Sequence, residues 1–217
     1  MKKTRTRWLA LLLVWVLLIS SLPTAALAVS KEDTGKTPDA SASFTDVVSG
    51  DWYYDAVQFV YEHGLMNGTS QTTFAPQRTT TRGMIVTILH RMEGEPSAAA
   101  AVFSDVAETS YCGAAVAWAS QNGIVTGYDA GTFRPDAPIT RQQLATMLYR
   151  YAGSPAVEGS LSFPDADGVA DYAEAAMLWA VQTGIINGKT DGTLDPAGLA
   201  TRAQVATMMA RYCAELA

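Results

Sequence analysis

One pattern, written three times at intervals of about 60 residues, constrains this chain more than any other feature. Phe44-Thr45-Asp46-Val47, Phe103-Ser104-Asp105-Val106 and Phe163-Pro164-Asp165-Ala166 open the copies, their phenylalanines 59 and 60 positions apart. Gly64, Gly123 and Gly184 recur at 59 and 61, as do Pro76, Pro135 and Pro196 and then Arg82, Arg141 and Arg202. Within every copy the glycine-to-proline distance is 12 and the proline-to-arginine distance is 6. The fold must therefore be built from one unit used three times.

Each unit reads as helix, loop, helix. A first helix is predicted over Trp52–His63, Tyr111–Asn122 and Tyr172–Thr183, ended by Gly64, Gly123 and Gly184 in a left-handed C′ conformation. A glycine-rich loop follows around Gly68, Gly127 and Gly188, and a short extended segment closed by Pro76, Pro135 or Pro196 comes next. The second helix carries apolar residues at i, i+3, i+4 and i+7 in every copy: Ile85, Ile88, Leu89 and Met92; Leu144, Met147, Leu148 and Tyr151; Val205, Met208, Met209 and Tyr212. That is one buried helical stripe. Thr81, Thr140 and Thr201 are natural N-caps, and Gln143 and Gln204 complete capping boxes where Met84 cannot. No single unit of this length can bury its own stripe, whereas three can bury a shared one. The expectation is an all-α fold, with units 44–94, 103–153 and 163–213 packed into one pseudo-threefold bundle.

Residues 1–28 read as a secretory signal peptide. Lys2, Lys3, Arg5 and Arg7 precede the apolar run Trp8–Ile19, and Ala26-Leu27-Ala28 offers a cleavage site. The run is shorter than a bilayer span requires. Residues 29–43 are polar and rich in small side chains, a flexible lead. No later segment is apolar enough to span a membrane. The formal charge is −6, and the leader removes four basic and no acidic residues, leaving the remainder more acidic still. That sign argues against a general nucleic-acid or anionic-lipid binder. Cys112 and Cys213 occupy non-equivalent positions without metal-ligand spacing; export permits a disulfide between them, and their helical patterns favour free, buried thiols.

The order Phe-x-Asp-Val, helix-opening aromatic, Gly-Ile/Val-x-x-Gly, Gly-Thr-Phe-x-Pro and Thr-Arg resembles the S-layer homology family. The second copy carries it most fully, from Gly123-Ile124-Val125-Thr126-Gly127 through Gly131-Thr132-Phe133-Arg134-Pro135 to Thr140-Arg141. The resemblance covers residues 44–212. It implies three repeats folded as a pseudo-threefold spindle with the first helices in a central bundle. It also implies grooves between repeats that bind secondary cell-wall polysaccharide, often one with a pyruvylated amino sugar. The family motif at helix two is Thr-Arg-Ala-Glu, with its arginine a ligand contact. Here the arginine is kept, and Met84, Gln143 and Gln204 stand where the glutamate would be.

The candidate site residues follow. Arg82, Arg141 and Arg202 sit at a helix N-terminus, where the macrodipole disfavours a cation by about 0.3–1 kcal/mol. A carboxylate ligand met by guanidinium and exposed helix N–H groups would explain them; so would a salt bridge to Asp46, Asp105 or Asp165. By this reading Arg141 is the strongest contact, because its own repeat matches the family best. Trp52, Tyr111 and Tyr172 suit stacking on a sugar or anchoring a loop. Gly68, Gly127 and Gly188 admit close approach by a ligand or form tight turns. Arg91, Arg150 and Arg211, in the last turns of the second helices, complement the dipole and read as structural. His63 and His90 lack nucleophile partners, and the Asp-rich loops lack calcium-loop spacing. The expectation is a non-enzymatic surface protein, without cofactor or metal, that binds wall polysaccharide outside the cell. The alternative is an interaction protein of the cell surface with degenerate grooves.

Overall fold

The computed structural model describes residues 44–99, 103–128 and 131–215. The leader and the lead expected over residues 1–43 lie outside them. Among the described residues there are six α-helices: α1 (Tyr54–Glu62), α2 (Arg82–Met92), α3 (Gly113–Gln121), α4 (Arg141–Tyr151), α5 (Glu174–Gln182) and α6 (Arg202–Glu215). Two short 3-10 turns, Ala166–Gly168 and Asp171–Ala173, precede α5. None of these helices is long and apolar enough to cross a membrane. Both cysteines are free.

The second helices form where their stripe demands. Ile85, Leu89, Leu144, Leu148, Val205 and Met209 are fully buried, each stabilising the fold by about 1.5–3 kcal/mol relative to exposure. Thr81 accepts from the Met84 amide at 3.4 Å, and Thr140 and Thr201 form reciprocal caps with Gln143 and Gln204. The first helices end as expected, with Gly64, Gly123 and Gly184 at φ of 66°, 69° and 72°. They begin later than the sequence suggested. A turn closed by Tyr54 N–H to Asp51 C=O (3.0 Å), with its counterparts Gly113 to Ser110 and Glu174 to Asp171, precedes each helix. That turn leaves Trp52, Tyr111 and Tyr172 outside the helices and in solvent.

The loop before each proline is kinked rather than extended: Ala75, Arg134 and Asp195 adopt φ of 57°, 58° and 51°. The opening aspartate of each repeat holds that kink. Asp46 accepts from the amides of Phe74 and Ala75, Asp105 from Phe133 and Arg134, and Asp165 from Leu194 and Asp195, all at 2.7–2.9 Å. Two adjacent N–H groups bonded to one carboxylate offset the left-handed backbone.

The repeats are joined in a ring. Each second helix packs on the first helix of the following repeat, α2 on α3 and α4 on α5, and α6 returns to α1. No pair of first helices is among the close-packed pairs of the described residues, so the central bundle of first helices implied by the resemblance is not what joins the repeats. The hub consists of the strips leading into α2, α4 and α6. Thr80 N–H donates to Ala200 C=O (3.0 Å), Ala200 to Ile139 (2.9 Å) and Ile139 back to Thr80 (2.9 Å). All three residues are fully buried. A closed ring has no terminal repeat whose apolar face needs a cap.

Candidate functional site

The three arginines are the hinge between architecture and site. Arg82, Arg141 and Arg202 are only 6–7% exposed. Arg82 Nε donates to Phe133 C=O (3.0 Å), Arg141 Nε to Leu194 C=O (2.7 Å) and Arg202 Nε to Phe74 C=O (2.7 Å). Each therefore reaches into the loop of the following repeat. The first-turn amides do the same. Arg82 and Gly83 donate to Ala137 and Pro135, Arg141 and Gln142 to Gly198 and Pro196, and Arg202 and Ala203 to Arg78 and Pro76. These N–H groups are already satisfied, which corrects the expectation that they stand open beside the guanidinium. Among the described residues no ion pair joins these arginines to Asp46, Asp105 or Asp165; the aspartates serve the kinked loops instead. Burial pulls the pKa of all three guanidinium groups below the ordinary arginine value, and they remain charged at neutral pH.

Two grooves form around these arms, and they are the same site in successive repeats. One, of about 330 Å³, is lined by Arg82, Ile124, Val125, Thr126, Gly127, Tyr128, Gln143, Thr146, Met147, Arg150 and Tyr172. The other, of about 180 Å³, is lined by Arg202, Leu65, Met66, Asn67, Thr80, Met84, Thr87, Ile88, Arg91 and Tyr111. Position by position, each has the arginine of the preceding repeat, the loop and second helix of its own, and the exposed aromatic of the next. All three repeats thus build each groove. The same hand-over assigns Arg141, Gly188 and Trp52 to the loop and helix of the third repeat.

The grooves differ in charge. In the second repeat's groove the Arg82 guanidinium lies 4.7 Å from the ring centres of both Tyr128 and Phe133, and Arg134 covers Tyr128 at 4.5 Å. Gln143 donates to Tyr128 Oη at 3.2 Å. Arg150 makes no hydrogen bond or ion pair within the described chain, whereas Arg91 is bound to Leu65 C=O and Glu95, and Arg211 to Ile185 C=O. Ser154 stands where the first copy has Glu95, and that substitution was the signal in the sequence that Arg150 differs from its counterparts. In the first repeat's groove Arg202 stacks on Phe74 at 4.4 Å and donates to Asn67 C=O at 2.6 Å. Around Arg141 the third repeat places Leu194 for the phenylalanine, and Lys189 paired with Asp195 (3.1 Å) and Asp191 (3.8 Å). Asp195 and Asp165 act electrostatically on Arg141.

Trp52, Tyr111 and Tyr172 are 65%, 59% and 54% exposed. The Tyr111 hydroxyl lies 3.4 Å from Thr81 Oγ1, so its ring stands over the helix start of the preceding repeat. Burial raises the pKa of Tyr111 and Tyr172. Gly68, Gly127 and Gly188 have a packing reason. A Cβ on them would run into the rings of Phe44, Phe103 and Phe163 and the carbonyls of Thr73, Thr132 and Thr193.

Comparison with known proteins adds the following. Residues 43–83, 102–145 and 162–206 each match the profile of the S-layer homology domain, together more than half of the chain. An endoglucanase of Bacillus sp. (strain KSM-635) is 31% identical over 212 residues, covering 93% of this chain and 21% of that protein. A surface-layer 125 kDa protein of Lysinibacillus sphaericus is 35% identical over 125 residues, covering 52% of this chain and 10% of its own. An S-layer protein of Bacillus licheniformis is 28% identical over 181 residues, 79% of this chain and 20% of that protein. The chain thus spans about a fifth or less of the length of these relatives.

Proposed function

The chain belongs to the S-layer homology family, and from that premise we propose that its repeats hold it non-covalently to a secondary cell-wall polysaccharide through the three-repeat grooves. Its setting is the bacterial cell surface, where proteins of this family are anchored. The repeats bind and do not catalyse; in the endoglucanase relative the matched region is 21% of the length.

One observation carries the reading. The second repeat's groove brings Arg82 and Arg150 together with no carboxylate of the described residues in ion-pair range, and sets Tyr172 in solvent at its rim. Two guanidinium groups without a counter-charge among the described residues, beside aromatic rings, suit an anionic sugar such as a pyruvylated amino sugar. The carboxylate of such a sugar would meet guanidinium, and the ring face would lie on tyrosine. The first repeat's groove favours the rival reading of a degenerate site, because Met84 stands where the second has Gln143 and Arg91 is already paired with Glu95. The cyclic hand-over also changes the ranking suggested by motif completeness. Arg141 belongs with the third repeat's loop, where Asp191 and Asp195 pair with Lys189 and leave one negative charge to face Arg141, and Arg82 serves the second.

The test is a pull-down on purified cell-wall sacculi, intact or stripped of polysaccharide, with Arg150→Ala and Tyr172→Ala. Both side chains leave the core undisturbed. A lost charge-assisted contact of about 1.5–3 kcal/mol weakens binding by roughly 10- to 100-fold. Binding that survives stripping, or a double variant that binds like wild type, overturns the proposal.

A further inference from the structure

The chain has three asparagines, Asn67, Asn122 and Asn187, and each is followed by glycine. All three are exposed. An Asn-Gly pair is the dipeptide most open to intramolecular attack, because glycine has no Cβ to shield its backbone nitrogen. By sequence and exposure the three sites are equal, and the structure separates them.

At the end of α3 both reacting groups of Asn122-Gly123 are held. Gly123 N–H donates to Ser120 C=O at 3.1 Å, and Asn122 Nδ2 donates to Trp118 C=O at 2.8 Å. Asn67-Gly68 and Asn187-Gly188 lie in the loops after α1 and α5. There neither the glycine N–H nor the asparagine side chain makes a hydrogen bond within the described chain. The nucleophile and the leaving group are therefore tied down at one site and free at two.

We propose that Asn67 and Asn187 are sites of spontaneous deamidation and that Asn122 is protected. The glycine nitrogen, giving its proton to solvent, attacks the asparagine Cγ. The N–Cγ bond forms, the Cγ–Nδ2 bond breaks, and Nδ2 leaves as ammonia, which takes up a proton. Water then opens the resulting succinimide at one of its two carbonyls, giving aspartate or isoaspartate. Water is the only co-reactant.

The position of Asn67 gives the change a consequence. Its carbonyl accepts from Arg202 Nη2 at 2.6 Å, and it lines the first repeat's groove. Aspartate there adds a negative charge on the residue whose carbonyl Arg202 holds; isoaspartate also reroutes the backbone and moves that carbonyl. Asn187 holds the same place in the third repeat. The second has Thr126 there and cannot change. This consequence rests on the anion-binding reading of the grooves, whereas the modification itself does not. Ageing would then add negative charge to the first and third repeats' loops and spare the groove with Arg82 and Arg150.

The full chain is incubated in mildly alkaline buffer and mapped by peptide mass spectrometry, with isoaspartyl methyltransferase labelling. A urea-unfolded sample serves as control, in which all three sites should convert alike. In the folded protein the peptides with Asn67 and Asn187 should gain about one dalton, the usual lability of exposed asparagine, while Asn122 stays intact. Asn67→Gln should remove the first of these signals. Conversion of Asn122 at the rate of the other two, or no conversion at Asn67 and Asn187 while the unfolded control converts, overturns the proposal. Because the readout is mass, it decides the matter whether or not the chain binds polysaccharide.

Discussion

Arg82→Ala tests whether the motif arginines build the fold as well as face the groove. Truncation removes the bond from Nε to Phe133 C=O (3.0 Å) and the packing on Tyr128 and Phe133 at 4.7 Å. A hydrogen bond to a charged group contributes about 1.5–3 kcal/mol, and stacking on the rings about 0.5–2 kcal/mol. Against this, losing a cation from a helix N-terminus returns about 0.3–1 kcal/mol, and part of the desolvation penalty is relieved. The balance is a destabilisation of about 2–4 kcal/mol. For a domain of this size that lowers Tm by roughly 5–15 °C. Arg82→Lys keeps the charge and most of the stem but loses the planar donor, and should fall between wild type and alanine. Arg141→Ala should cost less than Arg82→Ala, because Leu194 replaces the stacked phenylalanine. Circular dichroism melts of the three variants settle the order. An Arg82→Ala protein melting within a degree of wild type would refute the inference that this side chain clamps the second repeat's loop to the first.

Three further outcomes are expected. Gly127→Ala should destabilise by about 1–3 kcal/mol, because a Cβ meets the Phe103 ring and the Thr132 carbonyl at φ +72°; Gly123→Ala, in open space at φ +69°, should cost less in the same urea titration. Asp105 and Asp165 have lowered pKa values. At Asp105 burial alone would raise it, and the Phe133 and Arg134 amides outweigh that; at Asp165 the Leu194 amide is the main cause. Their stabilisation is complete at neutral pH and is lost as pH falls below about 4 and through the lowered native values. Asp105→Asn should therefore be less stable than wild type at pH 7 and close to it near pH 2, and parallel pH profiles would contradict this. Thr80→Val should raise Tm, because Thr80 Oγ1 is buried without a partner among the described residues, at a hub where Ile139 and Ala200 are apolar. A buried unpaired hydroxyl costs about 1–3 kcal/mol, and a lower Tm would show that the hydroxyl is satisfied.

The local half of this fold was legible because it is written in short-range signals. The stripe of α2, α4 and α6, the Thr81, Thr140 and Thr201 caps, and the left-handed Gly64, Gly123 and Gly184 each depend on residues a few positions apart. The candidate arginines and aromatics were legible too, and Arg82, Arg202, Tyr111 and Tyr172 among them line grooves. Their grouping was not legible. Arg82 is 51 residues from Phe133, and Arg202 is 128 from Phe74, and no periodicity encodes which repeat an arm reaches. Arg150 was set aside because its place in the last turn of α4 already had an electrostatic explanation. The difference lies in the carbonyl bond that Arg91 and Arg211 make and in the Arg91–Glu95 ion pair, and only the second left a trace in the sequence, at Ser154. The kink at Ala75, Arg134 and Asp195 was hidden because none of the three is glycine, and two amides on one aspartate stabilise it from 28–30 residues away.

The ring explains how the sites can diverge without loss of the fold. In both grooves the arginine comes from the preceding repeat, the loop and second helix from the groove's own, and the exposed aromatic from the next. The completeness of one repeat's motif therefore does not rank its groove, since only part of that motif faces it. The Nε bonds and the first-turn amides of all three repeats satisfy the ring, so Arg82, Arg141 and Arg202 are retained on structural grounds even where a groove has lost its chemistry. Met84, Lys189 and Asp195 are then tolerable, because none of them takes part in closing the hub. Retained arginine is evidence for the ring in all three repeats, and evidence for a ligand only where a second, uncommitted cation and an exposed aromatic join it. Among the described residues that combination occurs with Arg82, Arg150 and Tyr172.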